Sequence, residues 1–262
     1  MRVTLVQSLS AADGSGDNLD AIGSAVKEAK GEVVVFPELY LCGYSTAPEL
    51  KDRVAQNTER WRNELMRISS ESCKWLIVGA ALLDSDGLKN VLWVLSPDGG
   101  EQRYDKIHLA QFGEFEEGAA FVPGDRALMV DIGGFRFGLS ICYDLFFPEL
   151  CRRYALMGAD VLLCASASPM RSQTPFERVL PARAVENTCY VLFVNNVGDL
   201  DKFQYFGGSR AISPLGHEME SCGDSSHCLL EVELQRNELE RAREGRPTLR
   251  DHRGDVDWGN AV

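Results

Sequence analysis

The sequence predicts a single α/β domain, and three observations support this prediction. Short apolar runs typical of strands alternate with helical patterns along all 262 residues. Hydrophobic residues make up 45% of the chain, which is enough to enclose one large core. No linker-like segment or repeat interrupts the alternation, so residues 1–262 are expected to fold as one domain. The polar tail over residues 245–262 is predicted to be extended and is a candidate for a subunit interface.

Strands are predicted wherever a short run is continuously apolar or alternates between apolar and polar residues. The expected strands are residues 3–7, 33–36, 75–83, 90–96, 128–132, 135–141, 160–164, 190–195, 209–213 and 229–232. Four consecutive apolar residues at 33–36 indicate a strand that is covered on both faces. Turn residues at 84–87 and 97–100 separate neighbouring strands and suggest a hairpin.

Helices are predicted where apolar residues recur at helical spacing. The expected helices are residues 17–30, 58–72, 175–187 and 235–244, with a further helix that starts at Pro148. Gly31 follows the first helix as a C-cap, and Pro148 suits a first helical turn. The segment 106–125 is rich in glycine and lacks either pattern, which is typical of a functional loop.

The net charge, the start of the chain and the length of the apolar runs limit the possible partners and the expected location. A net charge of −12 without any Lys/Arg cluster argues against binding to nucleic acid or to anionic membranes. The start of the chain turns polar within about ten residues, too soon for a signal peptide, and the apolar runs are strand-sized. A cytoplasmic protein is therefore expected. Its eight scattered cysteines are expected to be reduced and mostly buried.

No cofactor or metal is expected. The chain has no P-loop and no glycine-rich dinucleotide motif after a strand. The set His217, Cys222, His227 and Cys228 has a spacing that matches none of the usual zinc sites, so ordinary packing is the preferred interpretation.

Three reactive side chains stand where predicted strands end. Cys142 follows the strand 135–141, Lys106 follows the strand-like segment 101–105, and Glu38 follows the apolar run 33–36. Taken singly, each has an ordinary alternative: a small core residue, a surface lysine and a surface charge. Together they suggest one catalytic floor, in which a cysteine nucleophile is supported by a cation and a carboxylate.

The carboxylate takes the role of base in this hypothesis, because no histidine is placed for it. Glu38 at the end of an apolar strand is expected to be partly desolvated, which raises its pKa toward a value useful for proton transfer. Glu114, eight residues after Lys106, is the candidate to pair with that lysine. Glu116 and Glu117 are rivals on sequence alone.

These motifs belong to a longer series, which in order and spacing resembles the nitrilase superfamily of carbon–nitrogen hydrolases. The matching runs are Val35-Phe-Pro-Glu-Leu39, Tyr104-Asp-Lys-Ile-His-Leu109, Phe112-Gly-Glu114, Phe121-Val-Pro-Gly-Asp125, Ile141-Cys-Tyr-Asp144, Phe147-Pro-Glu149, Ala182-Arg-Ala-Val-Glu-Asn187, Asn195-Asn-Val-Gly198 and Phe206-Gly-Gly-Ser209. They extend over nearly the whole chain.

The resemblance implies a four-layer αββα sandwich and a Glu–Lys–Cys catalytic set formed by Glu38, Lys106 and Cys142, with Glu114 as fourth member. It implies attack of the Cys142 thiolate on a small amide, a thioester intermediate, and an oxyanion held by Lys106 and the Tyr143 amide. Pairing through the helices after the nucleophile strand, as a homodimer or a larger even-numbered assembly, is also implied.

Two departures from the family pattern bear on the substrate. Phe146 stands where many amidase-type relatives carry an arginine, so the wall beside Cys142 is expected to be apolar and poorly suited to acidic substrates. Tyr143-Asp144 replaces the Trp-Glu of true nitrilases, which favours the amidase branch. Arg171 and Phe176 are candidates for the acyl side of the pocket, with ordinary loop or packing roles as the alternative. N-carbamoyl hydrolysis, nitrile hydrolysis and a non-catalytic scaffold remain alternatives.

Overall fold

Two six-stranded sheets organise the chain. The structure is a computed structural model that describes residues 1–10, 18–200, 202–223 and 226–255. The strands in these ranges are β1 (Arg2–Gln7), β2 (Val33–Val35), β3 (Trp75–Asp84), β4 (Gly87–Leu95), β5 (Glu101–Asp105), β6 (Met129–Ile132), β7 (Phe135–Ile141), β8 (Val161–Ser166), β9 (Tyr190–Asn195), β10 (Val197–Leu200), β11 (Phe203–Phe206), β12 (Arg210–Ile212), β13 (Glu218–Ser221) and β14 (Cys228–Glu233). The helices are α1 (Leu19–Glu28), α2 (Glu49–Ser72), α3 (Pro148–Leu156), α4 (Gln173–Asn187) and α5 (Arg236–Gly245).

Each large sheet has a parallel centre with antiparallel flanks. The first sheet has the order β14-β1-β2-β3-β4-β5, and β1, β2 and β3 are parallel. The second has the order β13-β12-β9-β8-β7-β6, and β7, β8 and β9 are parallel. The pair β10 and β11 forms a separate antiparallel hairpin.

The two sheets pack face to face and the helices cover their outer faces. One apolar core joins Leu5 and Ile77 of the first sheet to Leu139 and Leu163 of the second. Helices α1 and α2 pack on the outer face of the first sheet, whereas α3 and α4 pack on that of the second. This arrangement confirms the predicted four-layer αββα sandwich.

The predicted elements are largely present, with three differences. Helix α2 begins at Glu49 rather than at residue 58, because Leu50 and Val54 extend its buried face by two turns. Strands β10, β11 and β13 were not predicted, since each has only 4 residues, which is too short for a clear alternation. The part of the tail up to residue 255 is not fully extended, because the Asp251 amide donates to the Pro247 carbonyl in a turn. Position 17 of the first predicted helix and positions 256–262 of the tail lie outside the described residues.

The cysteines differ in part from expectation. Cys222 and Cys228 form a disulfide, which corrects the prediction that every cysteine is reduced. Cys73 is an exposed free thiol, and the five other free cysteines are buried. Among the described residues, no helix is both long enough and apolar enough to cross a membrane.

Strand direction brings the predicted reactive residues to one edge of the first sheet. Strands β4 and β5 are each antiparallel to the preceding strand, so β5 runs in the same direction as β2 and β3. The segments that leave β2 and β5 therefore emerge at the same edge. These segments carry Glu38 and Lys106 respectively.

A glycine allows the segment after β2 to cross β3. A Cβ atom at Gly79 would lie 1.9 Å from the Pro37 carbonyl oxygen and 2.7 Å from the Glu38 Cα. The crossing is held by the Leu41 amide, which donates to the Gly79 carbonyl at 2.9 Å. Because no side chain fits between the two backbones, Gly79 determines how far Glu38 reaches toward β4 and β5.

We predict that Gly79→Ala displaces Glu38 and destabilises the fold by about 1 to 3 kcal/mol, as expected for overpacking against backbone. Thermal unfolding would be measured. The matched control is Gly23→Ala in α1, where the new Cβ would meet only Ile68 Cδ1 at 3.7 Å. That control should be neutral or slightly stabilising, since alanine favours a helix over glycine. Equal melting temperatures for Gly79→Ala and wild type would contradict the prediction.

Candidate active site

A buried lysine between two buried carboxylates forms the centre of the site. Lys106 Nζ donates to Glu38 Oε1 at 2.7 Å and to the Glu117 carboxylate at 2.8 Å. None of the three residues is more than 1% exposed. A buried ammonium is costly unless it is paired, and here it has a carboxylate on each of two sides.

The carboxylate of Glu38 is held by neutral donors in addition to Lys106. Asn90 Nδ2 donates to Oε1 at 2.8 Å, and the Ala167 amide donates to Oε2 at 2.8 Å. Asn90 comes from β4 of the first sheet, whereas Ala167 follows β8 of the second. The base is therefore fixed by both sheets at once.

Glu117, and not Glu114, is the fourth charged member of the site. A short 3-10 turn over Glu117–Ala119 directs its side chain inward, where Tyr44 Oη and the Ala110 amide each donate to it at 2.9 Å. The assignment of Glu114 was wrong, because its carboxylate is half-exposed and accepts from Arg171 Nη1 at 2.8 Å. Glu117 was one of the two rivals that the sequence left open.

Cys142 occupies a sharp turn between β7 and a 3-10 helix, Cys142–Phe146. Its φ of 48° lies in the left-handed region, which costs about 1 to 2 kcal/mol for a non-glycine residue and requires support from the surroundings. Buried Asp144 supplies that support. Its Oδ2 accepts from the Ile141 amide at 3.0 Å and from Tyr104 Oη at 2.8 Å.

Asp144 also connects this turn to the loop that follows Lys106. Its Oδ1 accepts from the His108 amide at 2.8 Å and lies 2.8 Å from His108 Nδ1. The His108 ring stacks on Phe147 with centroids 3.5 Å apart. His108 is thus held by Asp144 and Phe147 and has a structural role. Asp144 fixes the position of Cys142 relative to Lys106.

The pKa directions agree with an acid–base pair formed by Cys142 and Glu38. Burial, and then the neighbouring Glu38, raise the pKa of the Cys142 thiol to about 12, although Lys106 opposes this rise. Burial and Glu117 also raise the pKa of Glu38. Burial disfavours the charged form of Lys106, but Glu117 and Glu38 outweigh it and raise the pKa of Lys106 well above its usual range. At neutral pH Cys142 is therefore a neutral thiol beside a permanent cation, and it needs a base.

Aromatic rings lie beside Cys142. Tyr143 and Phe146 are half-buried, with ring centroids 6.0 Å apart, and exposed Phe112 lies 4.9 Å from the Tyr143 ring. Phe176 packs 4.9 Å behind Phe146 and is only 1% exposed. It is a core residue that supports Phe146, which corrects its prediction as a substrate contact. Arg171 lies over the Phe115 ring at 4.9 Å while it pairs with Glu114.

Several site residues were not predicted. Tyr44 donates to the Glu117 carboxylate and Asn90 donates to that of Glu38. Asn195 Oδ1 accepts from the Ser168 amide at 2.8 Å. Asn90 had a detectable signal, since it is a polar residue directly before the apolar run at positions 91–95 of β4. Within the described ranges, no group of three or more His, Cys, Asp or Glu side chains is arranged to hold a metal ion.

Comparison with known proteins shows the family to which the chain belongs. The family model for carbon-nitrogen hydrolases matches residues 2–244. The chain is 33% identical over 209 residues to a nitrilase from Pyrococcus abyssi, with 76% of each chain covered. It is 31% identical over 259 residues to an (R)-stereoselective amidase from a Pseudomonas species, with 97% of this chain and 92% of that one covered.

Among solved structures, a mutant of the amidase from Nesterenkonia sp. AN1 is similar, with a TM-score of 0.84 and 27% identity. The match covers 97% of this chain and 94% of that one. That structure shows the acetamide moiety of fluoroacetamide added covalently at the active-site cysteine.

The chain therefore belongs to the carbon-nitrogen hydrolase family, which confirms the resemblance seen in its motifs. Together with its amidase relatives, this membership makes it an amidase-type hydrolase that acts on non-peptide carbon–nitrogen bonds.

We predict that Glu117→Gln lowers amide turnover by about 100-fold, because Lys106 loses a charged partner and the small displacement that follows is costly to catalysis. The control is Glu114→Gln, which removes only a surface ion pair and should have little effect. Steady-state kinetics of both variants would be compared. A larger loss for Glu114→Gln than for Glu117→Gln would restore the original assignment.

Proposed function

We propose that the protein hydrolyses small primary amides to a carboxylic acid and ammonia through a thioester on Cys142. The observation that carries this proposal is the position of buried Lys106, which lies between Glu38 and Glu117. Lys106 is also near Cys142, since its positive charge lowers the pKa of the thiol and a Cys142 thiolate raises the pKa of the lysine. A neutral thiol, a carboxylate of raised pKa and a fixed cation are the parts that acyl transfer from an amide needs.

The first half of the reaction forms the thioester. Glu38 takes the proton of Cys142 as the sulfur attacks the amide carbonyl carbon. Lys106 and the Tyr143 amide stabilise the tetrahedral oxyanion. Glu38 then gives its proton to the leaving nitrogen, the carbon–nitrogen bond breaks, and ammonia departs.

The second half releases the acid. Water attacks the thioester carbonyl while Glu38 accepts one of its protons, and the same cation stabilises the second oxyanion. The carbon–sulfur bond breaks and Glu38 returns the proton to the sulfur, so that the free thiol is restored. One carboxylate performs every proton transfer, consistent with His108 being engaged by Asp144 and Phe147.

Two features favour amides with an uncharged acyl group. The half-buried rings of Tyr143 and Phe146 give the wall beside Cys142 an apolar character. The exposed Arg171 is already paired with Glu114 at 2.8 Å, so its charge is partly compensated. The covalent adduct on the cysteine of the Nesterenkonia amidase supports the assignment of the nucleophile.

We further propose that the chain forms a homodimer through the helices after the nucleophile strand. Leu156 and Met157, at the end of α3, are 41% and 43% exposed, which is high for large apolar side chains.

An activity screen separates this function from its alternatives. The panel would contain primary amides with aliphatic, aromatic and acidic acyl groups, the matching nitriles, and N-carbamoyl compounds, with ammonia and carbon dioxide both measured. Ammonia alone from the uncharged amides is the expected result. Carbon dioxide release, a preference for nitriles, or a preference for acidic amides would each replace the proposed substrate class. Lack of any turnover would favour a non-catalytic scaffold.

We predict that rapid quenching during turnover leaves an acyl adduct on the Cys142 peptide, detected by mass spectrometry. Cys142→Ala should carry no adduct and should release no ammonia. The matched control is Cys73→Ala, because Cys73 is a free thiol exposed to solvent. This control should keep both the adduct and the activity, and an adduct on any other cysteine would contradict the assignment.

A further inference from the structure

Two buried serines lie against Cys142 and have no part in the mechanism described above. Ser168 Oγ is 3.3 Å from Cys142 Sγ, and Ser166 Oγ is 2.6 Å from Ser168 Oγ. Both serines are at most 1% exposed. The three atoms therefore form a short hydrogen-bonded chain that ends on the nucleophilic sulfur.

The backbone of segment 166–168 is held by hydrogen bonds to Asn195 and to Glu38. The Ser168 amide donates to Asn195 Oδ1 at 2.8 Å, and Asn195 Nδ2 donates back to the Ser168 carbonyl at 3.2 Å. Between the serines, the Ala167 amide donates to Glu38 Oε2 at 2.8 Å. The segment 166–168 thus contacts the base through its backbone and the nucleophile through its side chains.

Which atoms donate in these two hydrogen bonds depends on whether the sulfur carries a proton. While Cys142 is a thiol, either the sulfur or the Ser168 hydroxyl can act as donor. Once the proton has moved to Glu38, the sulfur can only accept. Donation from Ser166 to Ser168 and from Ser168 to the sulfur then gives the thiolate a fixed hydrogen bond.

The thiolate needs this support because the charges around it oppose one another. Burial disfavours a negative sulfur most, Glu38 and Glu117 add to this effect, and Lys106 opposes it. Tyr44 and the thiol of Cys164 also lie within electrostatic range of Cys142. In a buried site a hydroxyl donor stabilises the anion without adding a charge.

We propose that Ser168 is a positioning residue for Cys142, whose hydroxyl, supported by Ser166, donates a hydrogen bond to the sulfur as the thiolate forms. The proposal rests on the proposed role of Cys142 as nucleophile. In this step the S–H bond breaks and an O–H bond forms on Glu38, while both serines keep their protons. The hydroxyls only rotate.

The test measures how fast iodoacetamide alkylates Cys142 at a fixed pH below the pKa of the thiol, followed by peptide mass spectrometry. Ser168→Ala should react about tenfold more slowly than wild type, which corresponds to about one unit in the pKa of Cys142. Ser166→Ala should also be slowed, because Ser166 supports the Ser168 hydroxyl at 2.6 Å and its own hydroxyl lowers the pKa of Cys142 through a hydrogen bond. The exposed Cys73 peptide serves in each sample as the internal reference for reagent and pH.

The matched control is Ser140→Ala. Ser140 is also a buried serine of the second sheet, but its hydroxyl donates to the Leu163 carbonyl at 2.9 Å. It should alkylate at the wild-type rate. With an amide substrate, Ser168→Ala should lower kcat and leave KM nearly unchanged.

An unchanged alkylation rate for Ser168→Ala at a preserved melting temperature would overturn the proposal, and so would equal slowing by Ser140→Ala. If Ser168→Ala fails to fold, Ser166→Ala decides the question by the same measurement, and an unchanged rate again overturns it. Alkylation requires no amide turnover. Failure of the proposed function would therefore appear separately, as an absence of ammonia release from every amide.

Discussion

The ammonium of Lys106 and the carboxylates of Glu38 and Glu117 meet inside the protein, and the rest of the site depends on this contact. Lys106 lies 2.7 Å from Glu38 and 2.8 Å from Glu117, and none of the three side chains is more than 1% exposed. Two negative groups around one positive group leave an excess of negative charge where the Cys142 thiol is held. Burial, and then the negative charge of Glu38, disfavour the thiolate at rest. Burial also raises the pKa of Glu38, although Lys106 opposes this rise, so the same buried site makes a base both necessary and available.

The fold supports this cluster by joining the two sheets at one edge. Gly79 lets the segment after β2 cross β3, which carries Glu38 toward Asn90 and Lys106. From the other sheet, the Ala167 amide donates to Glu38, and Asp144 ties the strained turn at Cys142 to the loop after Lys106. Buried ionic groups rarely stabilise a fold as much as apolar packing does, so we attribute the cluster to function rather than to stability.

Apolar periodicity predicted a single α/β domain, and position after a strand singled out Glu38, Lys106 and Cys142, because both are local signals. The four-layer sandwich was predicted by the resemblance of the motifs to the nitrilase superfamily. It could not select Glu117 over Glu114. Three acidic residues occur within four positions of one glycine-containing loop, and only the 3-10 turn determines which of them faces inward. Phe176 was misassigned for a related reason, since burial behind Phe146 depends on the packing of α4 against the second sheet. Long-range contacts decided both cases, and a local pattern does not contain them.

The most direct test of this account is the ultraviolet absorbance of the Cys142 thiolate, taken as the difference between wild type and Cys142→Ala across pH. The cysteines and tyrosines that do not interact with Cys142 cancel in this difference. Tyr44 and Cys164 do interact with it, but their pKa values are raised well above the usual range, so neither contributes near or below neutral pH. We expect no thiolate difference at neutral pH and a signal that appears only in strongly alkaline solution, because the pKa of Cys142 is raised to about 12. A thiolate signal that titrates near or below neutral pH would show that the sulfur is already ionised at rest. It would contradict the role of Glu38 as the base for the first step.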